Sequence, residues 1–145
     1  MIQIICLGKI KEKYLEEMIE DYKKRINKYH KINIVELKDE NDLKSESINI
    51  LKHIKDRDFT IACDIKGEKL DSKNFADKLD SVFQISGTIN FVIGSSEGLY
   101  EDIKNHADML LSFSDFTMPH GLFRGVLLEQ IYRAFKINNN ERYHK

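Results

Sequence analysis

A chain of 145 residues has room for one domain with a full core and none for a sizeable second module. Hydrophobic residues make up 41% and charged residues 32%, and no apolar run approaches a membrane span or a secretory signal, so a cytoplasmic address is expected. The formal net charge of −1 excludes a nucleic-acid binder that relies on bulk charge. The two ends are nevertheless basic: residues 1–35 carry eight Lys/Arg against five Asp/Glu, and residues 119–145 five against two. Any RNA contact would fall to those ends, through a local or dimeric patch.

Ile2–Leu7 is an apolar, β-branched run and reads as a strand ended by Gly8. Lys11–Tyr29 carries Tyr14, Leu15, Met18, Ile19, Tyr22 and Ile26 at helical spacing, with Lys23, Lys24, Arg25, Lys28 and Lys31 crowding its far end. Such cations suit a solvated helix C-terminus; an RNA-facing patch is the alternative. Ile32–Leu37 alternates as a second strand, LKDENDLKSES follows as a polar loop, and Ile48–Ile54 forms a short helix. Phe59–Ile65 is a third strand, flanked by helical segments and therefore expected to be parallel and central. Lys66-Gly67-Glu68 turns the chain, and Ser72 caps a helix with Phe75, Ala76, Leu79, Val82 and Phe83 on its apolar face. Thr88–Ile93 is a fourth strand. The order β-α-β-α-β-α-β predicts one α/β domain over 1–145, a mostly parallel sheet with helices on both faces.

Cys6 and Cys63 sit inside strand-like runs without a CxxC partner and read as buried thiols. The five histidines show no metal-ligand spacing, and no metal is predicted.

The chemistry concentrates in Phe91–Lys136. This stretch reads as a buried strand, a glycine-bearing loop (Gly94–Gly98, GSSEG), a short helix, a strand at Met109–Phe113, a polar loop, and a helix opened by the only proline, Pro119. Ligands of open α/β sheets bind at the carboxyl ends of strands, so two such loops side by side could hold a small molecule through main-chain hydrogen bonds. GSSEG lacks both GxGxxG and GK[ST], which argues against phosphate binding. Ser112–Met118 mixes small polar groups with Phe113, Phe116 and Met118; it suits an adenine slot or, equally, a loop whose aromatics plug the core. His120 and Arg124, four apart, share a helix face towards whatever the loop holds. Leu127, Leu128, Ile131 and Phe135 form a core stripe or a homodimer seam. The tail reads as a frayed end, yet Tyr143 and His144 beside Arg142 and Lys145 offer a stacking ring, an imidazole and phosphate partners.

Taken together, LGKIKEKY near the N-terminus, DIKG (Asp64–Gly67), FVIG (Phe91–Gly94), SFS (Ser112–Ser114), Pro119-His120 with Arg124, LLEQIYRAFKIN and the terminal YHK resemble one family over essentially the whole chain. This is the bacterial ribosomal large-subunit pseudouridine N3-methyltransferases of the SPOUT, or α/β-knot, class. The resemblance implies a trefoil-knotted C-terminal half, an obligate homodimer, and S-adenosylmethionine as methyl donor. It implies a ribosomal substrate, a pseudouridine in helix 69 of 23S rRNA, methylated on N3 in the assembled ribosome. By position it places the cofactor site at Cys63, Gly94, Phe113, Ser114, Asp115, Phe116, Thr117 and Met118. It puts Tyr143, His144 and Arg124 near the target base, with His144 or Tyr143 accepting the N3 proton and Arg124 stabilising negative charge. The chain departs from the family pattern at Ser95, Gly121, Asn139-Asn140 and Arg142. A non-catalytic ribosome-binding protein of the same fold, or a knotted methyltransferase acting on tRNA, are the alternatives.

Overall fold

A computed structural model describes residues 1–95 and 98–145; Ser96 and Glu97, in the middle of the GSSEG loop, lie outside the described residues. Five strands, β1 (Ile2–Leu7), β2 (Ile32–Leu37), β3 (Phe59–Lys69), β4 (Ile89–Ile93) and β5 (Met109–Ser112), form one sheet in the order β2-β1-β4-β3-β5. Every pairing is parallel. The helices are α1 (Lys13–Asn27), α2 (Leu43–Leu51), α3 (Ser72–Phe83), α4 (Glu101–His106) and α5 (His120–Asn138). The α/β class with a parallel sheet and helices on both faces is as the sequence predicts. The centre is β4 rather than β3, which lies one place out, between β4 and β5.

Strand alternation builds two cores. Ile2, Ile4 and Cys6 of β1, Ile61 of β3 and Ile89, Phe91 and Ile93 of β4 face one way, onto the apolar sides of α1, α3 and α5. Ile5, Leu7, Ala62 and Val92 face the other way, onto Ile50 of α2 and Leu99 and Ile103 around α4. On that second face the sheet also carries a buried polar row that sequence pattern does not reveal. Gln3, Asn90 and Thr60 stand side by side in the registers of β1, β4 and β3, at 8%, 0% and 1% exposure. Gln3 Nε2 donates to Asn90 Oδ1 (3.0 Å) and to the His53 carbonyl (3.0 Å). Asn90 Nδ2 donates to Asp58 Oδ2 (3.0 Å) and Thr60 Oγ1 (3.4 Å).

Three local expectations are corrected. The polar stretch after β2 is only partly loop: Asp42 Oδ1 accepts from the Ser45 amide (2.8 Å) and starts α2 five residues early, burying Glu46 and Ser47. Asp71, not Ser72, caps α3 by accepting from the Asn74 amide (2.7 Å), while the Ser72 hydroxyl donates to Gln130 Oε1 (2.7 Å). Strand β3 does not end at Ile65. It leaves the ladder after Cys63, bulges, and pairs with β5 again from Glu68. The return is close: a Cβ on Gly67 would lie 2.6 Å from the Leu110 carbonyl carbon. Only a residue without a side chain fits there. Among the described residues no helix is long and apolar enough to cross a membrane.

A candidate cofactor cavity at the carboxyl ends of the strands

The bulge of β3, the segment after β4 and the loop from β5 to α5 enclose a cavity of about 440 Å³, a volume typical of small-molecule sites. Seven of the eight positions expected to hold a cofactor line it: Cys63, Gly94, Phe113, Ser114, Phe116, Thr117 and Met118. The eighth, Asp115, turns outward and pairs with Lys69. The polar loop organises itself through its own serines. Ser112 Oγ donates to the Ser114 carbonyl (3.2 Å), and Ser114 Oγ accepts from the Phe116 amide (2.9 Å). Phe113 packs edge-on against Phe75 and Phe123, at 6.2 and 5.0 Å between ring centres, and also walls the cavity. Phe116 stands 84% exposed at the rim, a large apolar surface available to cover a planar ligand.

The charge of this wall narrows what it can take. Among the described lining residues there is no Lys or Arg; the one carboxylate is Asp64, 3.8 Å from Lys104 Nζ. Phosphate groups would find no cation here, whereas S-adenosylmethionine, which has no phosphate and whose sulfonium and ammonium offset its one carboxylate, does not need one. The donor set of loop amides and hydroxyls with apolar cover therefore fits S-adenosylmethionine. Burial pushes the Cys63 thiol up to about 12 and the Cys6 thiol up to about 11, so both stay neutral. Iodoacetamide at pH 8 is expected to leave both unmodified in the native protein and to label both in denaturant, read by intact mass. Native labelling of Cys63 would show its thiol to be far more acidic than its surroundings dictate. Among the described residues no cluster of His, Cys, Asp and Glu is placed to hold a metal ion.

Of the pair expected to share a helix face towards the loop, only His120 reaches the cavity, and of the residues expected near the base Arg124 and the tail lie elsewhere. His120 lines the cavity, its Nδ1 buried without a partner. Arg124, one turn on, is only 2% exposed: Nη1 donates to Glu36 Oε2 (2.5 Å) and Nη2 to the Gly8 carbonyl (3.1 Å). Its guanidinium ties the carboxyl ends of β1 and β2 to α5 instead of facing the cavity. Glu36→Ala, which strands that buried cation, is expected to cost about 3–5 kcal/mol. Arg124→Met should cost less, because the Glu36 side chain is 40% exposed and can hydrate. Urea melts of the two variants test the order; equal losses would contradict it.

The tail is docked, not frayed. Glu141 accepts from the Tyr29 hydroxyl (3.0 Å) and from Lys136 Nζ (3.0 Å). The Tyr143 ring lies 4.9 Å from that of Tyr132, and its hydroxyl is 3.5 Å from Tyr22 Oη and 3.3 Å from Glu129 Oε1. Burial, then these neighbours, hold the Tyr143 phenol well above its ordinary range. Arg133 lies 4.7 Å over the Tyr143 ring, 3.1 Å by Nη1 from His144 Nδ1, and donates twice to Glu129. An arginine can only donate, so His144 accepts at Nδ1 and its own proton sits on Nε2. Glu129 and Arg133 as the tail's holders are absent from the sequence reading, where only their i, i+4 spacing was available as a signal. Within the chain, Tyr143 sits beside residues 132 and 133, roughly 12 Å along α5 from Arg124. The structure thus gathers seven of the eight positions expected to hold the cofactor and leaves Tyr143 and His144 apart from them.

A parallel α/β sheet whose last two strands present adjoining loops around a cavity with no Lys or Arg among its described lining residues suits a small organic ligand held at the strands' carboxyl ends. Residues 1–144 match the family described as "Predicted SPOUT methyltransferase". Proteins called ribosomal RNA large subunit methyltransferase H are similar throughout. That of Clostridium botulinum is 49% identical over 158 aligned residues, covering 99% of both chains, and that of Caldicellulosiruptor bescii 45% over 154, covering 100% of both. Among solved structures, a probable methylase family protein from Haemophilus influenzae superposes with a TM-score of 0.62 at 15% identity, over 99% of this chain and 70% of that one. The methyltransferase AviRb of Streptomyces viridochromogenes, in complex with its cofactor AdoMet, gives 0.51 at 10% identity, over 94% and 60%. The chain belongs to the SPOUT methyltransferase family and is a methyltransferase that uses S-adenosylmethionine.

Proposed function

We propose that this protein methylates N3 of a pseudouridine in helix 69 of 23S rRNA, acting on the assembled ribosome in the cytoplasm as a homodimer with a knotted C-terminal half. The observation that carries the reading is the cavity between the β4 and β5 loops, in a chain 45–49% identical end to end to proteins called ribosomal RNA large subunit methyltransferase H. The separation of the docked tail from the cavity supports the dimer: a partner's tail could complete the site that one protomer leaves open.

When bound, S-adenosylmethionine would supply a methyl group carried on a sulfonium, and the cavity residues would hold it in line for attack by N3, with the thioether leaving. Leu99, Phe116 and Met118, which line the cavity, would cover an adenine ring, and main-chain groups of Ser112–Met118 would read its edge. Cys63 stays protonated and takes no nucleophilic part. His144, exposed and able to swing off Arg133 to free Nδ1, accepts the N3 proton. Tyr143, its phenol held neutral, stacks beside the base. Arg124, committed to Glu36 and Gly8, is a positioning residue that holds His120 and the start of α5 against the sheet.

The test is incubation of the protein with S-adenosylmethionine and ribosomes from a strain lacking this activity, followed by primer extension across helix 69. A new stop is expected, because N3 methylation blocks Watson–Crick pairing. No stop on ribosomes with a product on tRNA would favour the tRNA reading. Calorimetry showing no binding of S-adenosylmethionine at millimolar concentration would favour a non-catalytic ribosome binder. A monomer by light scattering would remove the dimer.

A further inference from the structure

The first turn of α2 buries a carboxyl group that the chemistry above leaves unused. Glu46 is 3% exposed, and among the described residues no Lys, Arg or His lies within ion-pair distance of it. Burying such a group is costly unless donors satisfy it. Two do, and they come from different loops: Oε2 accepts from the Glu40 amide (3.1 Å) and Oε1 from the Ser95 hydroxyl (3.3 Å). The first bond fixes the orientation of the carboxyl group. The second crosses 49 residues of sequence to the loop after β4.

Ser95 lines both the cofactor cavity and an acidic recess formed by Asp39, Glu40, Asp42 and Glu46. Its carbonyl accepts from the Gly98 amide (2.9 Å), and Gly94, Ser95 and Gly98 all wall the cofactor cavity. That bridge closes the loop on itself, whereas the Glu46 bond ties it to α2. Ile50, one turn beyond Glu46, is buried in the core on the same face of α2. The loop is therefore moored to the body of the domain by a side chain that does not line its cavity. Position 95 is also one at which this chain departs from the family pattern, and a residue without a side-chain donor could not use this mooring.

We propose that Glu46 is a positioning residue for the cofactor cavity, holding the loop after β4 through the Ser95 hydroxyl so that Gly94 and Gly98 stand in place before the donor arrives. Fixing a binding loop in advance removes its ordering cost from the binding step. The inference rests on the cofactor cavity and not on which base is methylated.

The experiment measures Kd for S-adenosylmethionine by calorimetry on the full-length protein, on Ser95→Ala, Glu46→Met, the double variant and Glu46→Gln. Methionine fills the volume of Glu46 without its acceptors. Glutamine can accept from the Glu40 amide at Oε1 and donate to Ser95 Oγ from Nε2, so both links survive. Ser95→Ala and Glu46→Met should each weaken binding by about tenfold, the double variant by no more than either alone, and glutamine should recover most of the affinity. In the donor-free protein, hydrogen exchange of the Gly98 amide should quicken by about tenfold in the first two variants while that of Val92, within β4, holds. A role confined to stability would lower the melting temperature and quicken both amides without moving Kd. Wild-type affinity in Ser95→Ala, or losses that multiply in the double variant, would overturn the inference. Should Glu46→Met not fold, Ser95→Ala decides through its affinity and its Gly98 exchange. A wild-type protein that binds no donor would overturn the assignment of the cavity itself, and this inference with it.

Discussion

Gly94→Val should abolish binding of S-adenosylmethionine, and even Gly94→Ala should weaken it by about a hundredfold. A Cβ at position 94 would lie 2.3 Å from the Gly98 carbonyl oxygen, 2.7 Å from its carbonyl carbon and 3.0 Å from Leu99 Cγ. The first two are backbone atoms of Gly98, whose amide also donates to the Ser95 carbonyl (2.9 Å), so no side-chain rotation relieves the clash. Gly98 must shift, and it lines the cavity. Overpacking of this kind costs about 1–3 kcal/mol, small against a whole domain, so the variant should stay folded and lose the ligand. Calorimetry with the donor and a thermal melt separate the two effects. An alanine variant that binds like the wild type would show that the turn takes no part in the site.

The second large effect concerns the tail. His144→Ala is expected to lower single-turnover methylation of ribosomes by about 10²–10⁴-fold, the span usual for loss of a positioned proton acceptor. Tyr143→Phe should lower it less, since the ring and its contact with Tyr132 survive. Donor affinity should not move in either, because neither residue lines the cavity of this chain. Arg133→Met, which frees His144 Nδ1 and unpairs Glu129, provides a control: if docking alone mattered, it would reproduce the His144 loss in full. Unchanged rates in both tail variants would remove the tail from the chemistry.

These two sites differ in how far the sequence discloses them. The β1 to β5 runs and the stripes of α1, α3 and α5 are legible because burial against a sheet imposes a period that composition displays. The cofactor loops are legible for the same reason, as each follows a strong strand. The bulge and return of β3 are not, since Glu68 and Lys69 seat against Leu111 and Ser112, more than forty residues away in sequence. The start of α2 is hidden in a polar stretch where Asp42 reads as loop although it is a cap. Arg124 is harder still. A basic residue near a suspected site invites a role towards substrate, and only the neighbouring strand end, with Glu36 and a bare carbonyl, shows it turned inward. The docked tail is likewise a tertiary event, held by Tyr22, Tyr29 and Glu129 from distant parts of the chain.

The row of Gln3, Asn90 and Thr60 acts as a gauge mark across three strands. Sliding β4 by one residue would turn Asn90 into the opposite core, and sliding it by two would strand its amide among aliphatic neighbours, at about 1–3 kcal/mol for each orphaned group. Gly94 stands four residues further along, just past the carboxyl end of that strand, roughly 13 Å away. The height at which the donor loop meets its neighbour after β5 is therefore set from the far end of the sheet, by amides that never approach a ligand.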